Sequence, residues 1–292
     1  MKISKKLALI SGISLGLLGV YSCSSDDDGA PQATFTFDSL GLQPLSGGLV
    51  YQGWLIVDGE AKPTKQFTDP DKEKEFLAVA SDLEDAEAFL LTIENSEESG
   101  DREPSETRIL RGSFSGNTAN LSFEEVVTSL DGNDGTFVME TPTDGEGTNE
   151  NSGVWFIDKT KTPIQPGLTL NPIKAGWVYE GWVVIDNIPV STGTFTDPAQ
   201  KDKFNSFSAT TNDAYAYPGE DFLNNAVAPD GLTFPTDLKG AQVVISIEPA
   251  NDKDPLPFFL KPLSGSISST DASGEQISMI SDSGSPRAQV KR

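Results

Sequence analysis

The chain has 292 residues and a formal net charge of −23 at pH 7, and it contains no histidine. A surface this acidic repels phosphate groups, so the composition argues against nucleic acid as a partner. The lack of histidine removes the commonest general base and the commonest transition-metal ligand. We therefore expect no enzyme, no metal site and no cofactor, and catalysis by paired carboxylates is the one enzymatic alternative left open.

The first 22 residues have the pattern of a secretory signal peptide. Three lysines among the first six residues precede an apolar stretch from Leu7 to Val20. A helix needs about 20 apolar residues to span a bilayer, so this stretch is too short for a stable transmembrane anchor. A basic start, a short apolar core and a cut site are typical of secretion. We predict that residues 1–22 are removed.

Cys23 follows the predicted signal directly and is the only cysteine of the chain. The segment Val20–Cys23 resembles the lipobox of bacterial lipoproteins, which implies that Cys23 carries a lipid. Because more than one acyl chain makes anchoring stable, the mature protein is expected to be tethered to a membrane. Residues 23–32 have the composition of a flexible acidic tether. We expect an anchor in the outer membrane, with the protein facing the cell surface or the periplasm.

The strongest internal signal is a repeat. The run Val50–Asp58 (VYQGWLIVD) recurs as Val178–Asp186 (VYEGWVVID), 128 residues later, and the same spacing relates two FTDP segments. Farther along, Glu94 corresponds to Glu248, 154 residues later, so the second copy carries 26 additional residues. Copies of this length indicate two similar domains rather than a solenoid.

Both copies have the pattern of β-structure. The run Val50–Asp58 carries apolar side chains at odd and even positions, as in a central strand covered on both faces. Other short apolar runs are separated by Gly, Pro, Asn and Asp clusters, which favours sandwiches. The one segment predicted to be helical is Asp71–Ala80. We predict an all-β protein with two tandem β-sandwich-like domains, residues 33–160 and 166–268, and a disordered tail, residues 269–292.

Several segments of the second copy occur in a characteristic order. They are Tyr179–Asp186 (YEGWVVID), Pro189–Phe195 (PVSTGTF), Ser246–Ala250 (SIEPA) and Lys261–Gly265 (KPLSG). In this order they resemble the extracytoplasmic C-terminal domain of anti-sigma-K factors. The first copy departs from the pattern, since Lys65 stands where the second copy has Gly193. The sequence offers no counterpart of that family's cytoplasmic sigma-binding segment or membrane helix, so the resemblance implies a shared outer domain of sensory or interaction type.

Two groups of side chains are candidates for ligand binding. Trp54 and Trp182 occupy matching places in the two copies, and they are either core aromatics or platforms on which a glycan or peptide stacks. The extra segment of the second copy, Asp213–Lys239, is long enough to suggest a function. Its acidic and aromatic side chains either bind a ligand or pack the loop. They are Tyr215, Tyr217, Glu220, Asp221 and Phe222.

The sequence favours a lipid-anchored, monomeric protein that binds an envelope protein or a glycan. A regulatory lipoprotein in an envelope-sensing anti-sigma pathway is the alternative. A hydrolase that uses Asp58 and Glu94 is the least favoured, because Asp58 and Asp186 end the repeated strand and an Asp there typically serves a turn. The Asp131–Gly135 segment lacks the ligand spacing of an EF-hand calcium loop, so a turn is favoured there too.

Overall fold

The computed structural model describes residues 30–96, 103–210 and 214–292. Within them the protein is all-β, with antiparallel strand pairs and one six-residue α-helix. The all-β prediction is confirmed. The predicted signal peptide, the lipobox and Cys23 lie outside the described residues. In the three described ranges, no helix has the length and apolar character needed to cross a membrane.

The strands are numbered in chain order. The first are β1 (Gln32–Leu40), β2 (Leu49–Val57), β3 (Glu60–Phe67), β4 (Glu75–Val79), helix α1 (Ala80–Asp85), β5 (Ala88–Asn95), β6 (Arg108–Ser115), β7 (Thr118–Leu121), β8 (Asp134–Met139), β9 (Gly153–Trp155) and β10 (Ile157–Asp158). They are followed by β11 (Gln165–Pro166), β12 (Leu168–Thr169), β13 (Trp177–Ile185), β14 (Ile188–Phe195), β15 (Gly219–Asp221), a 3-10 turn (Asn225–Val227), β16 (Gln242–Pro249), β17 (Leu263–Ser266), β18 (Gln276–Ser278), β19 (Ile280–Ser281) and β20 (Arg287–Lys291).

The first copy of the repeat lies in an eight-stranded sheet with the order β3-β2-β5-β6-β7-β20-β1-β4. The sheet folds over on itself, because the rings of Phe35 in β1 and Phe89 in β5 are 5.8 Å apart although these strands are not neighbours. Its two end strands also meet, with 5.2 Å between the rings of Phe67 and Phe76. Buried aromatic rings therefore fill the space between the two layers.

The C-terminal strand β20 lies between β1 and β7 of this sheet. It pairs with Thr36–Leu40 on one side and with Thr118–Leu121 on the other. The side chains of Ala288 and Val290 point into the core and are buried. The prediction that residues 269–292 are disordered is therefore wrong. Two alternating apolar residues are too few to predict a strand, particularly after a Ser- and Gly-rich sequence.

The strands of the second copy belong to two five-stranded sheets that pack face to face. One has the order β14-β13-β16-β17-β19, and the other joins β12, β8, β9 and β15, with β18 beside β8. The sheets face each other closely: a Cβ on Gly181 would lie 2.8 Å from the ring of Phe156, and one on Gly265 would lie 3.0 Å from the ring of Phe137. Strands β8 and β9 thus pack with the second copy. The predicted boundary at residue 160 is wrong, because strand pairing over long range is not visible in local patterns.

The two halves of the molecule contact each other where β13 begins. The indole N–H of Trp177 donates to the carbonyl oxygen of Arg108 at 3.0 Å. Gly176 has a φ of +84°, and a Cβ there would lie 2.4 Å from the backbone of Glu106. Only glycine allows both this conformation and this close approach. The residues at the start of β13 therefore pack directly against the chain at the start of β6.

The repeated hairpins β2–β3 and β13–β14 turn in the same way. Asp58 and Asp186 have φ values of 51° and 50°, and Gly59 and Asn187 follow at 80° and 67°. Positive φ at both central residues is typical of the type I′ turn, whose twist matches that of the strands. Both aspartates lie in turns, so their recurrence has a conformational reason.

The prediction of a helix over Asp71–Ala80 is wrong. Backbone N–H groups of Lys72 and Glu73 donate to the carbonyl oxygen of Asp69, which makes a turn. Strand β4 follows at once, with Phe76 and Ala78 buried and their neighbours more exposed. This alternation has the two-residue period of a strand. It covers only a few residues after a highly charged segment, so it is hard to recognise in the sequence. Helix α1 begins only where β4 ends.

Candidate functional site

Trp54 and Trp182 are core residues and do not form stacking platforms. Their exposed fractions are 1% and 4%. The indole N–H of Trp54 donates to the hydroxyl of Thr92 at 2.8 Å, and that of Trp182 donates to the hydroxyl of Ser246 at 2.8 Å. Because both polar atoms are satisfied inside the protein, the core interpretation is the correct one of the two alternatives.

The two hydroxyls donate in turn to the repeated glutamates, Glu94 and Glu248. Oε1 of Glu94 also accepts the backbone N–H of Ser105 at 3.0 Å, and Oε1 of Glu248 accepts that of Phe258 at 2.8 Å. Each relay of tryptophan, hydroxyl and glutamate therefore holds the chain that follows β5 or β16. The recurrence of these glutamates has this structural explanation and needs no catalytic one.

The extra segment of the second copy packs onto the edge of a sheet. Its strand β15 pairs with β9. The rings of Phe207, Phe222 and Phe234 lie 5.2–5.9 Å apart in a cluster. Phe222 is fully buried there, so this candidate serves packing and does not contact a ligand.

A pocket of about 200 Å³ opens beside β15. Its walls come from the segment of residues 201–205 after β14, from Tyr215 and Tyr217 of the extra segment, and from Trp155 of β9. Gly219 also lines it, and a Cβ at this position would lie 2.7 Å from Cα of Trp155. Two predicted residues thus share one pocket with a tryptophan to which the sequence assigned no role.

Hydrogen bonds at their outer ends hold the two tyrosine side chains. The hydroxyl of Tyr215 donates to Glu140 at 3.0 Å, and that of Tyr217 donates to the carbonyl oxygen of Ile164 at 3.1 Å. The ring of Tyr215 meets Trp155 edge to face, with 5.5 Å between ring centroids. Both tyrosines are partly exposed, so the pocket presents aromatic rings whose orientation is already set.

Glu220 and Asp221 adjoin the pocket but are fully buried. Oδ1 of Asp221 accepts the indole N–H of Trp155 at 2.6 Å, and Oδ2 accepts the backbone N–H of Thr143 at 2.9 Å. Oε1 of Glu220 accepts the hydroxyl of Ser208, whereas Oε2 has no partner among the described residues. These two candidates support the pocket wall and are not available to contact a ligand.

Burial shifts the ionisation of the carboxyl groups around the pocket. It raises the pKa of Glu220 to about 7 and that of Asp221 to about 6, although hydrogen bonds from Ser208 and Thr143 act in the opposite direction. Burial also raises the pKa of Asp202 to about 6. The three groups therefore change protonation state close to neutral pH.

Asp202 is the acidic side chain of the pocket wall, and it is not among the residues predicted from the sequence. Its Oδ1 accepts the backbone N–H of Phe204 at 3.0 Å, and its Oδ2 accepts that of Gly219 at 2.8 Å. Gly193 lies directly against it, with a φ of +122°, and a Cβ there would come within 2.8 Å of the carboxyl group. The absence of a side chain at residue 193 therefore makes room for Asp202.

The first copy cannot form the same pocket. Lys65 occupies the position of Gly193, and its ammonium group pairs with Glu73 at 3.0 Å. In the second copy Lys201 stands at the position of Glu73, and Asp202 follows it. The difference between Lys65 and Gly193 is the one sequence signal that could have located this site, because it marks where the two copies diverge.

Throughout residues 30–96, 103–210 and 214–292, no group of three or more Asp, Glu, Cys or His side chains is placed to hold a metal ion. The chemistry of the pocket is that of aromatic faces and hydrogen bonds. Comparison with protein-family models, with curated proteins and with solved structures gave no match. The resemblance to the outer domain of anti-sigma-K factors therefore stays a prediction, as does lipidation of Cys23.

Proposed function

We propose that this protein is a lipid-anchored binding module of the bacterial cell envelope, which recognises a polysaccharide or a protein through the pocket beside β15. Cys23 supplies the anchor in the outer membrane. The observation that carries the proposal is the pocket itself, in which Tyr215, Tyr217 and Trp155 stand beside Asp202. It is built at the place where the second copy departs from the first, as expected when a duplicated scaffold gains a site.

Binding is favoured over catalysis by the state of the carboxyl groups. Glu220 and Asp221 are buried behind hydrogen bonds, so Asp202 is the one carboxyl group among the described residues that line the pocket, whereas hydrolysis by paired carboxylates needs two. A general acid or base must reach the proton that it transfers. The two tyrosine side chains, in contrast, are partly exposed and held in place, which is the arrangement expected of a preformed recognition site.

Replacement of Cys23 by Ala tests the anchor. We expect the variant to move from the membrane fraction to the soluble fraction of cells, because no acyl chain would remain to partition into the bilayer. A Ser22→Ala variant keeps the thiol and is the matched control. Membrane association that is unchanged in Cys23→Ala would contradict the proposed anchor.

Photo-crosslinking on intact cells tests the binding site. A photoreactive amino acid at Lys203, in the pocket wall, is expected to form adducts with an envelope partner. The same amino acid at Val227, which is 47% exposed in the extra segment but does not line the pocket, is the control. Equal adducts from both positions would contradict the proposal. Adducts with an inner-membrane regulator would support the alternative of an envelope-sensing pathway.

A further inference from the structure

We infer that the pocket beside β15 receives a single sugar unit of a glycan, held between the tyrosine rings and the polar residues 201–205. This inference rests on the proposed function and deepens it by naming the class of ligand. It follows from the size of the pocket, from the tyrosine side chains that line it and are held by hydrogen bonds, and from the kind of polar groups in its wall.

The size of the pocket favours one small ring. Its volume of about 200 Å³ is below the roughly 300–1,000 Å³ that is typical of pockets for drug-sized ligands. A protein partner would instead need a contact area of about 800 Å² on each side. A pocket of this size, open to solvent at one side, accommodates one ring and leaves the rest of a chain outside.

The aromatic residues offer the apolar part of the recognition. The C–H groups on the face of a sugar ring pack well on aromatic rings, which combine a large apolar surface with low conformational entropy. Tyr215 and Tyr217 are held by hydrogen bonds at their hydroxyl groups. Because these hydrogen bonds are made by the hydroxyl groups, they fix the position of each ring and leave its carbon atoms free of polar partners.

The polar residues of the pocket wall offer both donors and acceptors. Each oxygen of Asp202 accepts one backbone N–H, and a carboxylate oxygen has a second lone pair available. Lys201 and Lys203 contribute ammonium donors, and Asn205 contributes an amide that donates and accepts. Adjacent sugar hydroxyls each donate and accept, and this mixture of groups matches them.

The inference is tested by saturation-transfer NMR and titration with methyl glycosides of glucose, galactose, mannose and N-acetylglucosamine. We expect at least one of them to bind wild-type protein at millimolar concentration. Tyr215→Ala and Asp202→Asn should each weaken that binding roughly tenfold or more. Tyr215→Phe keeps the ring and should bind within a few-fold of wild type. Val227→Ala, in the same segment, should bind as wild type does.

The thermal transition of each variant shows whether it is folded, and if Tyr215→Ala is not folded, the loss of binding expected for Asp202→Asn still tests the inference. Absence of binding by all four glycosides would overturn the inference. So would binding that folded Tyr215→Ala and Asp202→Asn leave unchanged. If crosslinking at Lys203 captures a protein while no glycoside binds, the proposed function stands and the inference that the pocket binds a sugar is wrong. If crosslinking also fails, both are wrong.

Discussion

The relay of tryptophan, hydroxyl and glutamate occurs in both copies, so its contribution to stability can be measured twice. We expect Ser246→Ala to lower the free energy of unfolding by about 1–3 kcal/mol, since it leaves the buried indole N–H of Trp182 and the carboxyl group of Glu248 without their shared partner. Urea denaturation measures the change. Thr92→Val makes the same test in the first copy. Ser266→Ala, at an exposed position of β17, should change little.

The buried carboxyl groups predict how stability depends on pH. Burial raises the pKa of Glu220 to about 7 and that of Glu248 to about 8, so the folded chain retains protons that the unfolded chain releases at lower pH. Stability should therefore fall as pH rises through the interval between the unfolded and folded pKa values. We expect unfolding to cost roughly 5 kcal/mol less at about pH 8.5 than at about pH 5.5, because the two folded pKa values lie about 1.5 and about 2.5 pH units above the lower pH and each pH unit per proton corresponds to about 1.4 kcal/mol.

Urea denaturation at the two pH values measures this difference. Glu220→Gln removes one of the titrating groups and should reduce the dependence on pH, whereas the exposed Glu84→Gln should not. Stability that rises between the two pH values would contradict the assignment of these carboxyl groups as buried.

The candidate site was only partly predictable from single residues. Tyr215 and Tyr217 could be named because they stand in an insertion that combines aromatic and acidic groups. Trp155 and Asp202 could not, since they come from strands and loops that approach the insertion only after folding. Trp54 and Trp182 illustrate the converse: for an aromatic repeat the core is favoured, but a surface platform stays open until its polar atoms are seen to have internal partners.

The conformation of the hairpin turn between β13 and β14 can be tested by substitution. Asn187 has a φ of 67°, which glycine and asparagine adopt far more readily than branched residues. Asn187→Gly copies the turn of the first repeat and should leave stability nearly unchanged. Asn187→Val should lower the free energy of unfolding by about 1–2 kcal/mol, because a branched side chain disfavours this conformation. Equal thermal transitions for the two variants would refute the assigned turn.

Elements with a strong local pattern were predicted well, and those fixed by distant partners were not. The strand around Trp54 was recognisable because both of its faces are apolar, and both are buried in the sheet. Strand β4 has no such pattern, since its two inward residues, Phe76 and Ala78, follow a highly charged turn, and its sequence therefore predicts a helix. The sequence of strand β20 predicts disorder because its pairing partners lie far away in the sequence.

The side chain of Arg292 links parts of the molecule that lie far apart in the sequence. The guanidinium group of Arg292 donates to backbone carbonyl oxygens of Leu83, Glu84, Ala86 and Gly116. It also lies 4.3 Å from the centre of the Phe114 ring. These carbonyl oxygens belong to the end of α1 and to the turn between β6 and β7, so one side chain joins two separate parts of the first half.

We expect Arg292→Ala to lower the free energy of unfolding by roughly 2–3 kcal/mol, because it removes charge-assisted hydrogen bonds and a cation–π contact together. The exposed Lys291→Ala is the control and should have little effect. Calorimetry measures both. If the two variants unfold at the same temperature, the contacts of Arg292 do not stabilise the fold.

Strand β20 also has a consequence for how the protein is made. Its neighbours β1 and β7 are complete by residue 121, but the strand that fills the gap between them begins at residue 287. The sheet of the first half therefore cannot be completed until residues 287–291 are in place. Until then two strand edges stay open to other chains, and such edges favour aggregation. We therefore expect folding of this molecule to depend on keeping the early half of each chain apart from other chains until β20 has paired.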